Sequence, residues 1–422
     1  MSNPPQVAVV GGGLAGLVAA RHLAAAGGDV TCYERADRVG GRVRTETREG
    51  YRFDRGFQVL FTAYPAVQRE LDLAALDLRR FSPGATLARP GQRSTLADPL
   101  RSPKRFPATL FNTEVTVGDK LRVLALRSRL ARTEFDELFS GPDRSIAESL
   151  RDRGFSERFL ENFVAPFYGG ITLDRSLSTS GHVFEYTFKA LSAGSIAVPA
   201  AGMGAIPEQL AERAREAGCE IEIGREVTAV SSDGEGARIT TADGDDVGAD
   251  AVVVAADPPT ARSLTGVRSI PTEARSSVTQ YYELGADLDT GRRLVVNLEA
   301  EGPNHVAPTT AVAPEYAPGE TTMVSATFLG EPEASDEELA ERGRRALESW
   351  FPARRFDGFD LRSTVRVPFA QFDQPPGFRE GLPGPRTPDG PVYLAGDYTR
   401  WSSIQGAMES GREAARAVVA DR

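Results

Sequence analysis

Gly11, Gly13 and Gly16 follow the apolar run Val7-Ala8-Val9-Val10 in G-x-G-x-x-G spacing and open the alanine- and leucine-rich stretch Leu17 to Ala26. Read as strand, tight turn and helix, this order aims backbone N–H groups and a positive helix end at one spot with no Cβ in the way. That is the chemistry of pyrophosphate binding. Glu34 ends the next strand, Asp29 to Glu34, 18 residues after Gly16. A carboxylate there accepts from a ribose diol and repels a 2′-phosphate. Leu14 and Ala15, between the glycines, and Arg35, beside Glu34, belong to the same candidate site.

A lone glycine pattern also serves plain packing, so the context has to decide. After Glu34 the chain reads Arg35-Ala36-Asp37-Arg38-Val39-Gly40-Gly41-Arg42, a second glycine turn with a guanidinium beside it. Gly41 permits another close backbone approach, and Arg42 neutralises a diphosphate through forked hydrogen bonds. An ordinary surface turn would look similar in isolation.

These residues sit in a chain of 422 residues, 41% hydrophobic and 26% charged, with a net charge of −10. That composition suits a globular protein of two to three domain-equivalents and excludes global disorder. The acidic balance argues against sequence-independent nucleic-acid binding. Two cysteines, Cys32 and Cys219, and three separated histidines, His22, His182 and His305, offer no metal-binding spacing, so no metal is expected. No apolar run is long enough to span a bilayer, and Met1-Ser2-Asn3-Pro4-Pro5 lacks an export-signal pattern, so the expectation is a cytoplasmic protein.

Positioning these groups takes an α/β architecture. The βα texture of the first 62 residues gives way to proline, arginine and phenylalanine, returns from Gly202 to Asp257, and returns again at Val392-Tyr393-Leu394-Ala395-Gly396-Asp397 before a helix over Gln405 to Val419. The reading is a Rossmann-like domain from 1–62, 191–262 and 386–422. An interleaved α+β domain of mixed sheet and helices comes from 63–190 and 263–385.

The glycine turns, Phe53-Asp54-Arg55-Gly56-Phe57-Gln58, the Gly202-Met203-Gly204 turn and the tail from Gly396-Asp397 to Gly406-Ala407 occur in an order that resembles the FAD-dependent amine oxidase superfamily. That superfamily includes monoamine oxidases, protoporphyrinogen oxidases and phytoene desaturases. The resemblance implies non-covalent FAD, since no cysteine lies near the tail to tether it. It implies that Val227 meets the adenine through its backbone and that Gly396 and Asp397 meet the diphosphate-ribityl region. Ile404, Gln405 and Ala407 would present the helix start to the flavin's N1 and C2 edge, and Gly56, Phe57 and Gln58 would pass close to the ring. Gln58, Tyr281 and Trp401 are candidate substrate-lining residues; no side chain is assigned to the chemical step, which is hydride transfer to flavin N5.

Within that superfamily, Gly396-Asp397-Tyr398-Thr399 is closer to the desaturase form. Amine oxidases usually place a tyrosine where Ile404 stands, and many a lysine whose best match is around Gln280; no lysine follows Lys189. Asn162 to Ile171 resembles a block of the protoporphyrinogen oxidases and desaturases. Phe155, Phe159, Phe163 and Phe167 recur every four residues, as core or as lining for a bulky apolar substrate. The expected function is dehydrogenation or desaturation of an isoprenoid-like or porphyrinogen substrate. Flavin amine oxidation is the alternative, and a non-enzymatic carrier akin to the GDP-dissociation inhibitors a third reading. Between Arg101 and Arg132 eight basic residues face two acidic ones with leucines interleaved, so peripheral contact with an anionic membrane is a further expectation; the oligomeric state is left open.

Overall fold

The computed structural model describes residues 4–96, 115–232 and 236–422. Its centre is a parallel sheet built from β1 (Gln6–Val10), β2 (Asp29–Glu34), β3 (Glu220–Ile223), β4 (Ala251–Val254) and β5 (Val392–Leu394), in the spatial order β3-β2-β1-β4-β5. Strands buried on both faces read as continuous apolar runs, which is why Val7 to Val10 and Ala251 to Val254 show no polar alternation. Val7 and Val9 pack on the helical side, while Ala8 and Val10 pack toward the antiparallel meander Val227–Ser232, Ala237–Thr241 and Asp246–Ala249.

Three helices cover the helical side: α1 (Leu14–Ala25), α2 (Ala205–Glu216) and α3 (Ile404–Ala420). Their closeness is set by glycine. A Cβ on Gly411 of α3 would stand 2.1 Å from the Ala15 carbonyl oxygen, and one on Gly16 only 1.9 Å from that of Gly11.

A second, seven-stranded sheet runs in the order Asp360–Phe372, Ala274–Leu284, Thr322–Leu329, His305–Ala307, Leu294–Asn297, Ala85–Arg89 and Gln92–Leu96. All neighbours are antiparallel except Leu294–Asn297 against Ala85–Arg89. Helix Asp336–Trp350 covers one face through Val278, Tyr282, Val324 and Leu347. The other face looks toward the glycine turns. A small sheet, Leu60–Phe61 with Ile196–Pro199 and Leu78–Arg80, joins the two parts.

The phenylalanine run is not one continuous α-helix. Glu157–Phe159 and Ala165–Thr172 are α-helical, and Leu160–Val164 between them is π-helical. The rings still form a ladder, Phe155 to Phe159 at 4.8 Å, Phe159 to Phe163 at 5.6 Å and Phe163 to Phe167 at 5.4 Å. It starts in the core and ends with Phe167 at the cavity described below.

Helix Val117–Arg132 is fixed by a reciprocal cap between Thr116 and Asp119. Of the basic segment, Arg101, Lys104 and Arg105 lie outside the described residues. No described helix is long and apolar enough to cross a membrane.

Candidate cofactor and substrate cleft

One cavity of about 560 Å³ runs from the C-terminal ends of the parallel strands to the open face of the second sheet. This is where ligands of open α/β sheets sit, and the volume is that of a small-molecule site. Its walls include Gly11, Gly13, Leu14, Ala15, Glu34, Arg35, Gly41, Arg42, Gly56, Phe57, Gln58, Val227, Gly396, Asp397, Trp401, Ile404 and Ala407.

Both glycine turns converge at one end. Gly40 N–H donates to the Gly12 carbonyl at 2.8 Å, and a Cβ on Gly41 would lie 3.6 Å from Gly13 Cα. A Cβ on Gly13 would meet nothing within 4 Å, so the space it leaves belongs to the cleft. Gly11 needs glycine for its backbone: its φ is +112°, and a Cβ would stand 2.7 Å from the Ala255 carbonyl oxygen. Helix α1 begins at Gly13 with no side-chain cap and no acid in its first turn, leaving its leading amides for an anion.

Glu34 is buried and accepts from Gly12 N at 2.8 Å and Ala36 N at 2.8 Å, tying both turns to the end of β2. Arg42 Nη2 donates to Asp397 Oδ1 at 2.6 Å, and Ser402 Oγ donates to Asp397 Oδ2 at 2.9 Å. Helix α3 is capped by Ser403, which accepts from Gly406 N at 2.7 Å, and its first residue, Ile404, lines the cavity. Arg55 joins this end too. Burial, then the nearby Arg44, Arg35 and Arg42, hold its guanidinium below the ordinary arginine pKa, so positive charge is concentrated there ahead of any anionic ligand. An uncapped helix start, a cleared glycine cradle and converging guanidiniums together fit a dinucleotide diphosphate.

Gln58 lines the cavity, with its Nε2 donating to the carbonyls of Arg42 at 2.8 Å and Arg55 at 3.2 Å. Phe57 N–H donates to Thr279 Oγ1 at 3.1 Å. The loop Gly56 to Gln58 is therefore held between the glycine turns and the second sheet.

The structure corrects the expectations for Gly16, Tyr281 and Gln280, and it turns the side chain of Gln405, though not the backbone expected to face the flavin, away from the cleft. Gly16 lies beneath the turn and sets helix-to-strand distance without lining the cleft. The Gln405 side chain turns away: its Oε1 accepts from Ala66 N at 2.8 Å and its Nε2 donates to Glu409. Tyr281 is buried behind the cavity, its hydroxyl donating to the Asp54 carbonyl at 2.9 Å. Gln280 faces the opposite side of its strand, donating to the Asp336 carbonyl at 2.7 Å and Thr364 Oγ1 at 3.0 Å, so it stands nowhere near the cleft. Sequence reasoning assigned no role to Arg55 or Leu173. Arg55 was visible in its motif as a cation beside a glycine, whereas nothing in the sequence marks Leu173.

The cavity's other end is lined by Phe61, Tyr64, Phe167, Ile171, Leu173, Val183, Leu294 and Val296, with Trp401 at the junction. Trp401 packs directly on Tyr186, Tyr64 and Phe139 at ring-centroid distances of 5.1, 6.0 and 5.8 Å.

Residues 14–419 match the profile of the flavin containing amine oxidoreductases. The chain belongs to that family. The phytoene dehydrogenase of Streptomyces griseus is 29% identical to it over 288 residues, 62% of this chain and 56% of that protein. The L-amino-acid oxidase of Sistrurus catenatus edwardsii is 42% identical over only 80 residues, 19% of this chain and 16% of that protein. The chain thus spans little more than half the length of the first relative and far less of the second. An oxidoreductase from Methanosarcina mazei has the same fold, with a TM-score of 0.74 at 18% identity, covering 98% of this chain and 100% of that one.

Proposed function

We propose that this flavin containing amine oxidoreductase family member is an FAD-dependent oxidoreductase that dehydrogenates or desaturates a bulky, largely apolar substrate of the isoprenoid or porphyrinogen kind. The observation that carries the reading is electrostatic. Among the described residues, every charged side chain lining the cavity belongs to the glycine-turn half: Glu34, Arg35, Arg42, Arg55, Arg225, Glu226, Asp257 and Asp397. The strands and helices lining the rest contribute none. A charged substrate group buried there would lack a counter-charge, and a buried unpaired charge is strongly disfavoured.

In this reading FAD is held without a covalent tether. The first amides of α1, with Arg42 and Arg55, hold the diphosphate; Glu34 accepts from the adenosine ribose; and the Val227 backbone borders the adenine. Asp397 and the start of α3 serve the flavin half. The chemistry FAD supplies when bound is acceptance of a hydride at N5. The chain's own part is to exclude water with Phe167, Ile171 and Leu294 and to orient a C–H by burying the substrate body, at about 25 cal/mol per Å² of apolar surface. The extended likeness to a phytoene dehydrogenase supports this choice over amine oxidation.

The test is direct. Purified protein should be yellow, acid should release free FAD, and polyenes or porphyrinogens should bleach the flavin under anaerobic conditions. A colourless protein that FAD cannot reconstitute overturns the reading.

We also propose that helix Val117–Arg132 rests on an anionic lipid surface. Supporting this, Val117 and Leu121 are 64% and 63% exposed and Leu124 40%, an apolar stripe at i, i+4 and i+7 beside the exposed Arg122 and Arg132.

A further inference from the structure

Helix Ala165–Thr172 ends at Leu173, whose φ of +55° and ψ of +29° are left-handed, and Leu177 shortly after it has a φ of +59°. A left-handed leucine carries a steric strain that glycine, the usual residue just past a helix, does not. Each of the two therefore needs a reason to be a leucine.

The turn between them is fixed from several directions. Asp174 accepts from Ser176 N at 2.9 Å, Ser176 Oγ at 2.6 Å, Ser178 N at 3.2 Å and Ser178 Oγ at 2.7 Å. On the other side of Leu173, Gln371 Nε2 donates to the Ile171 carbonyl at 2.7 Å and Thr172 Oγ1 to the Tyr168 carbonyl at 2.9 Å. Such surroundings explain how the strain persists, and leave open why the side chain is so large.

Leu177 has an ordinary reason, since it is 3% exposed and belongs to a hydrophobic core cluster. Leu173 is different. It is half-buried, and among the described residues it packs into none of the hydrophobic clusters. What it borders is the cavity, together with Phe167, Gly170 and Ile171 of the helix it terminates. An alkyl group that strains its backbone and joins no core is buried only by a molecule in that cavity, and it offers such a molecule neither charge nor hydrogen bond. We propose that Leu173 is a substrate-contacting residue that selects an apolar body, its left-handed conformation being kept for that contact. This rests on the apolar-substrate reading above and names a residue that enforces it.

The test titrates the FAD-loaded protein anaerobically with geranylgeraniol in detergent while the flavin spectrum is followed, and records the Tm and the ratio of flavin to protein. Leu173→Gly removes the contact and the strain together. The alcohol should bind about tenfold more weakly, while Tm stays level or rises and the flavin ratio is unchanged. Leu173→Asn, polar but tolerant of left-handed backbone, should weaken binding likewise without melting earlier. Leu177→Gly is the control: it should lower Tm, as truncation of a core side chain does, and leave the affinity of the folded protein as it was. A fall in Tm for Leu173→Gly as large as that for Leu177→Gly would make Leu173 a core residue and overturn the inference. Unchanged affinity for the alcohol in Leu173→Gly overturns it too, as does loss of flavin, which would assign the residue to the cofactor; both leave the apolar-substrate reading standing. A wild-type spectrum indifferent to the alcohol overturns both.

Discussion

Arg42 and Asp397, 355 residues apart in the chain, meet at 2.6 Å and join the second glycine turn to the start of α3. The carboxylate is 4% exposed and the guanidinium 28%, so the pair is largely withdrawn from water. Arg42 makes a further hydrogen bond to the Ala370 carbonyl at 3.2 Å. One ion pair thus locks the first and last segments of the parallel sheet to the strand Asp360–Phe372, around the place proposed for the flavin.

Breaking such a pair from one side leaves the other charge uncompensated, at a cost of about 3 kcal/mol. Asp397→Ala should lower stability by that order and release the flavin on gel filtration, while Arg42→Lys, which keeps charge but loses the fork, should retain partial occupancy. Urea melts and the ratio of flavin to protein absorbance measure both. Full flavin retention by Asp397→Ala would refute the assignment.

Glu34 already accepts two backbone N–H groups, so its role toward the ribose is shared with shaping the turns. Glu34→Gln removes the charge and turns one accepting oxygen into a donor. FAD affinity should fall by about 1–3 kcal/mol, a rise in Kd of about fivefold to 150-fold measured by flavin fluorescence quenching. An unchanged Kd would move the ribose contact elsewhere.

Much of the cofactor end was legible because its demands fall on the backbone. Gly11, Gly40 and Gly41 have φ of +112°, +120° and +58°, and sequences mark such places with glycine. The substrate end was less so. Gln280 and Tyr281 are neighbours on a strand whose side chains alternate faces, so a one-residue uncertainty in matching a motif decides which side of the sheet a residue serves. Thr279 reaches the cofactor loop; Gln280 reaches Asp336 on the far side. Leu173 takes its left-handed conformation where Gln371 and Asp174 hold its neighbours, an arrangement brought together only by the fold.

Asp54 gives a pH prediction. Its carboxylate accepts from Thr45 Oγ1, Met203 N and Tyr316 Oη, yet burial raises its pKa above the usual carboxylate value. The folded state therefore binds this proton more tightly than the unfolded chain. The stabilisation is fully present below the unfolded value of 3.8 and is lost as pH rises through the higher folded one. Asp54→Asn keeps an accepting oxygen and removes the titration. Its stability relative to wild type should rise as the pH is raised above about 4 in thermal melts. A pH-independent difference would show that Asp54 does not titrate in that range.

For the membrane proposal, cosedimentation with vesicles of anionic phospholipid should fall as salt rises, since exposed charges are screened over ~8 Å at physiological ionic strength. Replacing Val117, Leu121 and Leu124 with serine should abolish it with little change in fold, because these side chains are exposed. Cosedimentation that is indifferent to both changes would remove the proposal.

The last prediction concerns reaction class. Benzylamine and putrescine should leave the flavin oxidised under anaerobic conditions in which a bulky polyene or porphyrinogen reduces it. An amine has to be presented as its free base, with its α C–H directed by groups that hold the nitrogen. Here the residue starting α3 is Ile404, where the family's amine oxidases usually place a tyrosine, and no lysine follows Lys189. Small amines also bury little surface, so they gain little of the area-proportional binding a long apolar body collects. On the apolar-substrate reading, raising the pH to supply more free amine should not rescue the reaction. Rapid reduction by either amine, with none by polyenes or porphyrinogens, would assign the chain to the amine-oxidising branch.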